Sequence, residues 1–343
     1  MSDKKLRIQY WDMAKGFTIL LVIIGHISNV NPYLRGIIFS FHMPFYFMAN
    51  GYFVKDYSLR KTIKKSAKSL LIPYSIVCII STAWYTIKYW QWGSADNLLQ
   101  IRDKLVAMLW GISKASTILK EVHSVWLVWF VICLFVARII YVIVMRVLSK
   151  FKIPIQIVVI FLISIVGMII GEQYAFLPWS LDVALVSLPF LMVGEYLSKY
   201  HLLENKFKSV MFTAAILWIV PLGMKIYIEL ATRDYPMGLI SVLEAIGGSV
   251  CVVGFFYFLE KHGILCSQLS WLGRNSMIVL AVHCLEMMYF DWDKYVFAIL
   301  PVENIWWMAA IVKVIVIVTV AWVIVWVKDF PKKPVRILSL TPR

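Results

Sequence analysis

Charge is what this chain has least of. Only 15% of its 343 residues are Asp, Glu, Lys or Arg, 61% are hydrophobic, and the mean hydropathy is +0.79. Soluble domains carry about 25% charged residues, so a water-soluble globular fold is excluded and a polytopic membrane protein is the class that fits. Acids are scarcer than bases, 19 against 34, giving a formal net charge of +15. That excess does not point to nucleic acid. The bases lie in short loops between apolar runs, where the cytosolic bias of Lys and Arg accounts for them, so no nucleic-acid partner is expected. The five cysteines (Cys78, Cys133, Cys251, Cys266, Cys284) are odd in number and form no CxxC pair, which argues against a disulfide framework and a thiolate metal site. No repeat of fixed period and no low-complexity tract occurs, so one integral-membrane domain is expected over 1–343, without a soluble module.

What the chain does have is apolar runs. Windows of membrane-spanning length fall at roughly 13–31, 36–54, 69–90, 124–148, 153–171, 181–198, 209–228, 238–260, 271–290 and 304–327. The expected fold is an all-α transmembrane bundle of about ten spans. Asp182, Pro189 and Glu195 interrupt the sixth window, and Pro221 the seventh. Several of the fifteen tryptophans, among them Trp11, Trp90, Trp126, Trp179 and Trp306, fall near window ends, as interfacial belts require. The stretch MSDKKLRIQYWD before the first window resembles a signal-peptide start, but no small-residue cleavage pattern follows, so a retained first helix is expected. Loops rich in Lys4, Lys5 and Arg7, in Lys55 to Lys68, in Lys150 and Lys152, in Lys199 to Lys208 and in Lys328 to Arg336 alternate with cation-poor ones. Both termini are therefore expected in the cytosol, and the long 91–123 loop outside. In that loop Leu98, Leu105, Met108, Leu109 and Ile112 recur at three-to-four spacing, which fits an interfacial helix. A plain tethering loop fits equally.

The first window reads WDMAKGFTILLVIIGH, with Lys15 at its cytosolic edge and His26 deep inside. At about 100° per residue the two project from one helix face, roughly 16 Å apart along it. Polar groups inside a span are costly and face a partner, a cavity or a reaction. Asp12 falls near the same face, within pairing distance of Lys15 by spacing. Counting roughly 1.5 Å per residue, His26, His42 and His283 all come to lie 7–10 Å below the outer ends of their spans. For His42 and His283, hydrogen bonding between helices explains the placement as well as catalysis does. Glu286 follows His283 by three positions on the same face and is placed to orient that ring or to bind a hydroxyl. The H-x-x-E spacing has no second dense ligand motif beside it, so no metal is expected. Pro44 is expected to break the second helix.

An alcohol needs a base to become a nucleophile, and a neutral imidazole such as His26 serves. Asn50, Tyr52, Asn275 and Ser276 are candidate donors to a developing oxyanion by residue type. Lys61, Lys64, Lys65 and Lys68 cluster where the second span returns to the cytosol, near the mouth marked by Lys15. Anchoring to the inner leaflet explains their sign as well as anion binding does.

The segments WDMAKGFTILLVIIGH, FHMPFYFMANGY, the basic run before LLIPY, VWLVWFVICLF and LGRNSMIVLAVH occur in that order. Together they resemble the membrane-integral acyltransferase-3 family, notably its fucose 4-O-acetylase-like and polysaccharide O-acetyltransferase branch. In that family an arginine and a histidine separated by ten residues mark the donor path and the catalytic base, and they map onto Lys15 and His26. A basic pair before the third span maps onto Lys65 and Lys68. A Ser-Gly-aromatic element becomes Asn50, Gly51 and Tyr52. The resemblance implies acetyl transfer from acetyl-CoA to a hydroxyl of a sugar or polysaccharide, in a bacterial cytoplasmic membrane. It also implies that Lys15 and the Lys61–Lys68 cluster contact the coenzyme A phosphates, with lysine acting as a point charge where the family uses arginine's planar fork. A transporter or flippase for a lipid-linked saccharide is the alternative, since polar residues inside spans also mark translocation paths. Against it, no inverted repeat or pair of broken helices is visible.

Overall fold

A computed structural model describes residues 8–27, 30–90, 96–113, 125–174, 177–297, 299 and 305–329, which form an all-helical protein. In chain order the helices are α1 (Gln9–Gly25), α2 (Pro32–Tyr52), α3 (Leu59–Ser66), α4 (Ile72–Tyr89), α5 (Asp96–Trp110), α6 (Trp129–Leu148), α7 (Ile153–Tyr174) and α8 (Leu181–Val186). They continue as α9 (Leu188–Lys199), α10 (Leu202–Asn205), α11 (Phe207–Gly223), α12 (Leu239–Lys261), α13 (Ser267–Arg274), α14 (Ser276–Tyr289) and α15 (Trp306–Asp329).

Each apolar window of the sequence contains a helix, but the windows are not equivalent. Among the described residues five helices are long and apolar enough to cross a membrane: Leu59–Ile87, Trp129–Leu148, Ile153–Gln173, Leu239–Lys261 and Trp306–Asp329. A sixth span results if Pro178–Val186 and Leu188–Lys199, bent by 55°, count as one. The rest fall short for local reasons. α1 stops at Gly25, so His26 caps the helix instead of sitting within it. The seventh window leaves the helix after Pro221 and Gly223. The ninth is divided at Asn275 between α13 and α14.

Local chemistry explains several boundaries. Asn31 starts α2, its Oδ1 accepting the backbone N–H groups of Tyr33 at 2.9 Å and Leu34 at 3.4 Å, with Pro32 following in the first turn. Contrary to expectation, α2 runs through Pro44. Pro44 is buried there and lines the small cavity beside His42, a setting in which membrane helices tolerate proline. α3 and α4 form one run joined by a π-helical turn at Ala67–Leu71, immediately before Pro73, which lacks the N–H an α-helical ladder would use. The long loop holds a helix, α5. It buries Ala107, turns Leu98 and Leu109 outward, and accepts a hydrogen bond from Trp179 Nε1 at the Leu109 carbonyl, 2.7 Å. Residues 91–95 and 114–124 of that loop lie outside the described set.

The acids of the sixth window are compensated inside the bundle. Glu195 accepts hydrogen bonds from the Tyr57 hydroxyl and, at 2.7 Å, from the Tyr141 hydroxyl. Asp182 receives both arms of Arg233, Nε at 2.8 Å and Nη2 at 3.2 Å, in a fully buried pair. Arg233 also reaches Ser113 Oγ at 2.8 Å. It belongs to a tight hairpin closed by Glu229 and Asp234, whose backbones exchange hydrogen bonds of 3.0 and 3.1 Å. The pair thus fastens this hairpin to α8 and, through Ser113, to the segment that follows α5.

Two crossings bring backbone against backbone. A Cβ at Gly16 of α1 would lie 1.9 Å from the Leu269 carbonyl oxygen, and one at Gly273 of α13 would lie 1.8 Å from that of Asp12. Likewise a Cβ at Gly51 of α2 would meet the Leu191 carbonyl oxygen at 1.9 Å, and one at Gly194 of α9 that of Met48 at 2.0 Å. Small residues permit such approach where the hydrophobic effect cannot drive helices together. Gly51→Ala and Gly273→Ala are each expected to lower the thermal midpoint in detergent, by an overpacking cost of roughly 1–3 kcal/mol. Gly223→Ala, with nothing within 4 Å, serves as the neutral control. Differential scanning fluorimetry of the purified variants checks the ordering.

Candidate active site

The three histidines read from separate segments meet in space. The ring of His26 lies 5.5 Å from that of His283 and 6.4 Å from that of His42, centroid to centroid. His26 Nδ1 bonds the Val22 carbonyl at 2.7 Å, and His42 Nδ1 bonds that of Ile38 at 3.0 Å. A carbonyl only accepts, so each Nδ1 carries the hydrogen and each neutral ring keeps its Nε2 lone pair for another partner. Phe39 packs between them, its ring 5.6 Å from His26 and 4.8 Å from His42. On α14, His283 Nδ1 lies 3.0 Å from Glu286 Oε2, so the carboxylate orients this ring as its spacing suggested. Glu286 Oε1 accepts from Trp292 Nε1 and lies 3.6 Å from Lys313 Nζ on α15.

Two cavities connect the ends of the Lys15–His26 face. The inner one, about 50 Å³, is lined by His26, Phe39, His42, Trp129 and Glu229, among others. The larger, about 360 Å³, is lined by Lys15, Asn50, Lys65, Arg138, Arg274 and Ser276 with apolar neighbours. Val22, Met43 and Leu280 belong to both walls. A cationic vestibule therefore abuts the histidine chamber across three apolar side chains.

The sequence-derived residues divide accordingly. His26, His42, Lys15, Lys65, Asn50 and Ser276 line the two cavities, while His283 and Glu286 stand behind His26. Lys61, Lys64 and Lys68 are exposed and line neither cavity, and Lys61 pairs with Asp56 at 3.3 Å. Asp12 is buried where α1 crosses α13. Tyr52 hydrogen bonds the Tyr10 hydroxyl at 2.9 Å, and Asn275 Nδ2 bonds the Trp271 carbonyl at 2.9 Å, so these two serve packing and the α13–α14 break. Among the described residues, no group of three or more His, Cys, Asp or Glu side chains is placed to hold a metal ion.

Sequence reasoning passed over Arg138, Arg274, Glu229 and Lys313. Arg138 is the most informative. It donates from Nη1 to Asn50 Oδ1 at 3.0 Å, and its buried Nε has no partner in the protein. The planar guanidinium fork absent at positions 15 and 65 is thus supplied to the same vestibule by Arg138 and Arg274. The available signal was a lone cation inside an apolar run, at Arg138 in LFVARIIY and at Lys313 in IVKVIV.

Comparison with known proteins accords with these motifs. Residues 8–326 match the acyltransferase-3 family, described as an acyltransferase domain. The nodulation protein NolL of Mesorhizobium japonicum is 30% identical over 118 residues, covering 30% of this chain and 31% of that protein. NolL of Sinorhizobium fredii is 29% identical over 116 residues, covering 29% and 31%. The matched stretch thus spans under a third of the length of either relative. No solved structure matches. A family match over residues 8–326, carried by the very helices that build the vestibule and the histidine chamber, places this chain in the acyltransferase-3 family.

Proposed function

We propose that the protein is a multi-pass O-acetyltransferase of the bacterial cytoplasmic membrane, of the fucose 4-O-acetylase-like and polysaccharide O-acetyltransferase branch. It moves the acetyl group of acetyl-CoA to a hydroxyl of a sugar or cell-surface polysaccharide. The observation that carries this reading is the shared wall of Val22, Met43 and Leu280 between a vestibule with four cations and a chamber with two histidines. Coenzyme A brings phosphate charge at one end and a thioester at the end of a long flexible arm. Lys15, Lys65, Arg138 and Arg274 suit the first, and His26 suits the chemistry of the second.

In the transfer, His26 Nε2 accepts the proton of the acceptor hydroxyl as its oxygen attacks the thioester carbonyl. The tetrahedral intermediate collapses with loss of the C–S bond, and the imidazolium returns the proton to the departing thiolate. The acetyl ester and free coenzyme A are the products. Ser276 remains a candidate donor nearer the vestibule, whereas Asn50 Nδ2 already bonds the Tyr46 carbonyl at 3.0 Å, and His42 frames the hydroxyl from the chamber wall. The bundle spans the membrane about ten times, with both termini in the cytosol and α5 outside, so the donor enters from within and the acceptor from without.

Purified His26→Ala is expected to stay folded and bind acetyl-CoA nearly as wild type, while turnover falls roughly 100-fold or more, the usual worth of a general base. Parallel measurement of binding and acetyl transfer in nanodiscs checks this, and near-normal turnover would sink the mechanism. For the donor, Lys15→Gln and Arg138→Gln should weaken acetyl-CoA binding even at about 0.5 M salt, where screening acts over roughly 4 Å. Lys65→Gln, at an exposed residue of the vestibule wall, should do so mainly at lower salt. The exposed Lys61→Gln, Lys64→Gln and Lys68→Gln should matter only at low salt. A titration series across salt concentrations separates the two sets, and identical responses would remove the vestibule from the donor site. For topology, cysteine placed at Leu98 should react with an impermeant thiol reagent from outside intact cells, and cysteine at Lys64 only after rupture. The reverse pattern would invert the orientation.

A further inference from the structure

Lys313 is a lysine inside the apolar helix α15, with its side chain largely buried. A cation so placed is costly unless compensated, and its compensation here is specific. Its Nζ lies 3.6 Å from Glu286 Oε1 and 5.0 Å from the centroid of the Trp292 ring. The indole N–H of Trp292 bonds that same oxygen, leaving Oε2 to His283 Nδ1 at 3.0 Å. The carboxylate is therefore divided, one oxygen toward α15 and the other toward the imidazole. Beyond the imidazole, His283 Nε2 is buried and has no hydrogen-bond partner in the protein, although the ring lies 5.5 Å from that of His26. Buried polar atoms are rarely left unpaired without a reason. A tie between α14 and α15 alone would need only the carboxylate and the ammonium. The imidazole held behind them, with an open nitrogen next to the reacting histidine, is surplus to that task.

We propose that Lys313 is a positioning residue for the acyl transfer. Its ammonium balances the charge of Glu286, so that Glu286 stays a carboxylate and holds the His283 proton on Nδ1. The Nε2 lone pair of His283 then faces away from Glu286, and with its ring 5.5 Å from that of His26 it steadies the positive charge His26 gains on taking the hydroxyl proton. Ammonium, carboxylate and neutral imidazole sum to zero charge, a condition suited to a site inside the membrane. Lys313 acts only through Glu286 and His283 and touches no substrate. The catalytic consequence rests on the O-acetyltransferase reading, whereas the fixed tautomer does not.

The test uses the full chain in nanodiscs, labelled with [15N]histidine, with the His283 resonances assigned by their loss in His283→Gln. Wild type should show a protonated Nδ1 and a bare Nε2 for the neutral His283 ring. Lys313→Met should disturb that pattern and lower kcat for coenzyme A release by roughly 10-fold, with KM for acetyl-CoA unchanged, the scale of losing an outer partner that acts on a histidine through another group. Lys313→Arg should restore both. Lys313→Gln, which can still donate to Glu286 Oε1 but carries no charge, should disturb the tautomer and the rate as Lys313→Met does, and it keeps the test decisive if Lys313→Met fails to fold. Lys328→Met, at the far end of the same helix, is the control. An unchanged His283 tautomer and rate in folded Lys313→Met or Lys313→Gln, or a Lys313→Arg that fails to restore them, would overturn the proposal. A wild-type protein that shows the tautomer but releases no coenzyme A would instead defeat the acetyltransferase reading.

Discussion

Backbone contact at glycine governs the architecture of the site. α1 ends in His26 and α2 carries His42, and each is clasped by a second helix at a point where no side chain fits, α1 by α13 through Gly16 and Gly273, α2 by α9 through Gly51 and Gly194. In lipid, close packing replaces the hydrophobic effect as the force between helices, so these points fix depth and rotation together. α13 leads through Asn275 into α14, and the clasp on α1 therefore also sets where His283 begins its approach. Three imidazoles from three sequence segments meet because two short contacts admit little sliding.

Around that frame three buried acids follow one rule, while both carboxylate oxygens of the buried Glu244 find no hydrogen-bond partner. Asp182 meets Arg233, Glu195 meets two tyrosine hydroxyls, and Glu286 meets Lys313 and Trp292. Each acid has its partner on another element, so each pairing also joins parts of the chain that are distant in sequence. In the vestibule, Arg138 keeps one hydrogen bond to Asn50 while its buried Nε finds no partner in the protein.

Much of this was legible in the sequence where periodicity speaks. The phase of Lys15 and His26 put both on one face, and counting rise per residue put His42 and His283 at the same depth, because helix geometry is regular and the apolar windows fix its ends. The three-residue spacing of His283 and Glu286 told correctly of their contact. Spacing fails where contact depends on a distant element. Tyr52 and Asn275 suited an oxyanion by type, but Tyr52 is taken by Tyr10 and Asn275 by the backbone of its own helix. The lysine cluster was read as a unit, although only Lys65 turns into the vestibule wall. A lone cation in an apolar run marks Arg138 and Lys313 as costly but does not say what they meet, because that lies in the helix opposite, and Arg274 in SWLGRNSM carries no such mark. The helix through Pro44 was missed for a related reason, since the burial of Pro44 comes from neighbours and not from the sequence around it.

The hairpin from Glu229 to Asp234 bears on the scale of what the chamber admits. Held by Arg233 and walled by Glu229, Leu230 and Ala231, the chamber has about 50 Å³ of free space. A water molecule occupies roughly 10–15 Å³ on that measure, so a few waters fill it and a pyranose ring does not enter. On the proposed reading, the acceptor halts at the threshold and extends a single hydroxyl inward, as a key's tip enters a lock whose barrel is too narrow for the bow. Selection among acceptors then belongs to the rim, to the residues that decide which edge of a large glycan can lie flat against the hairpin. The interior is left with one small and general task, which frees the rim to change its glycan while the chemistry beneath it stays the same.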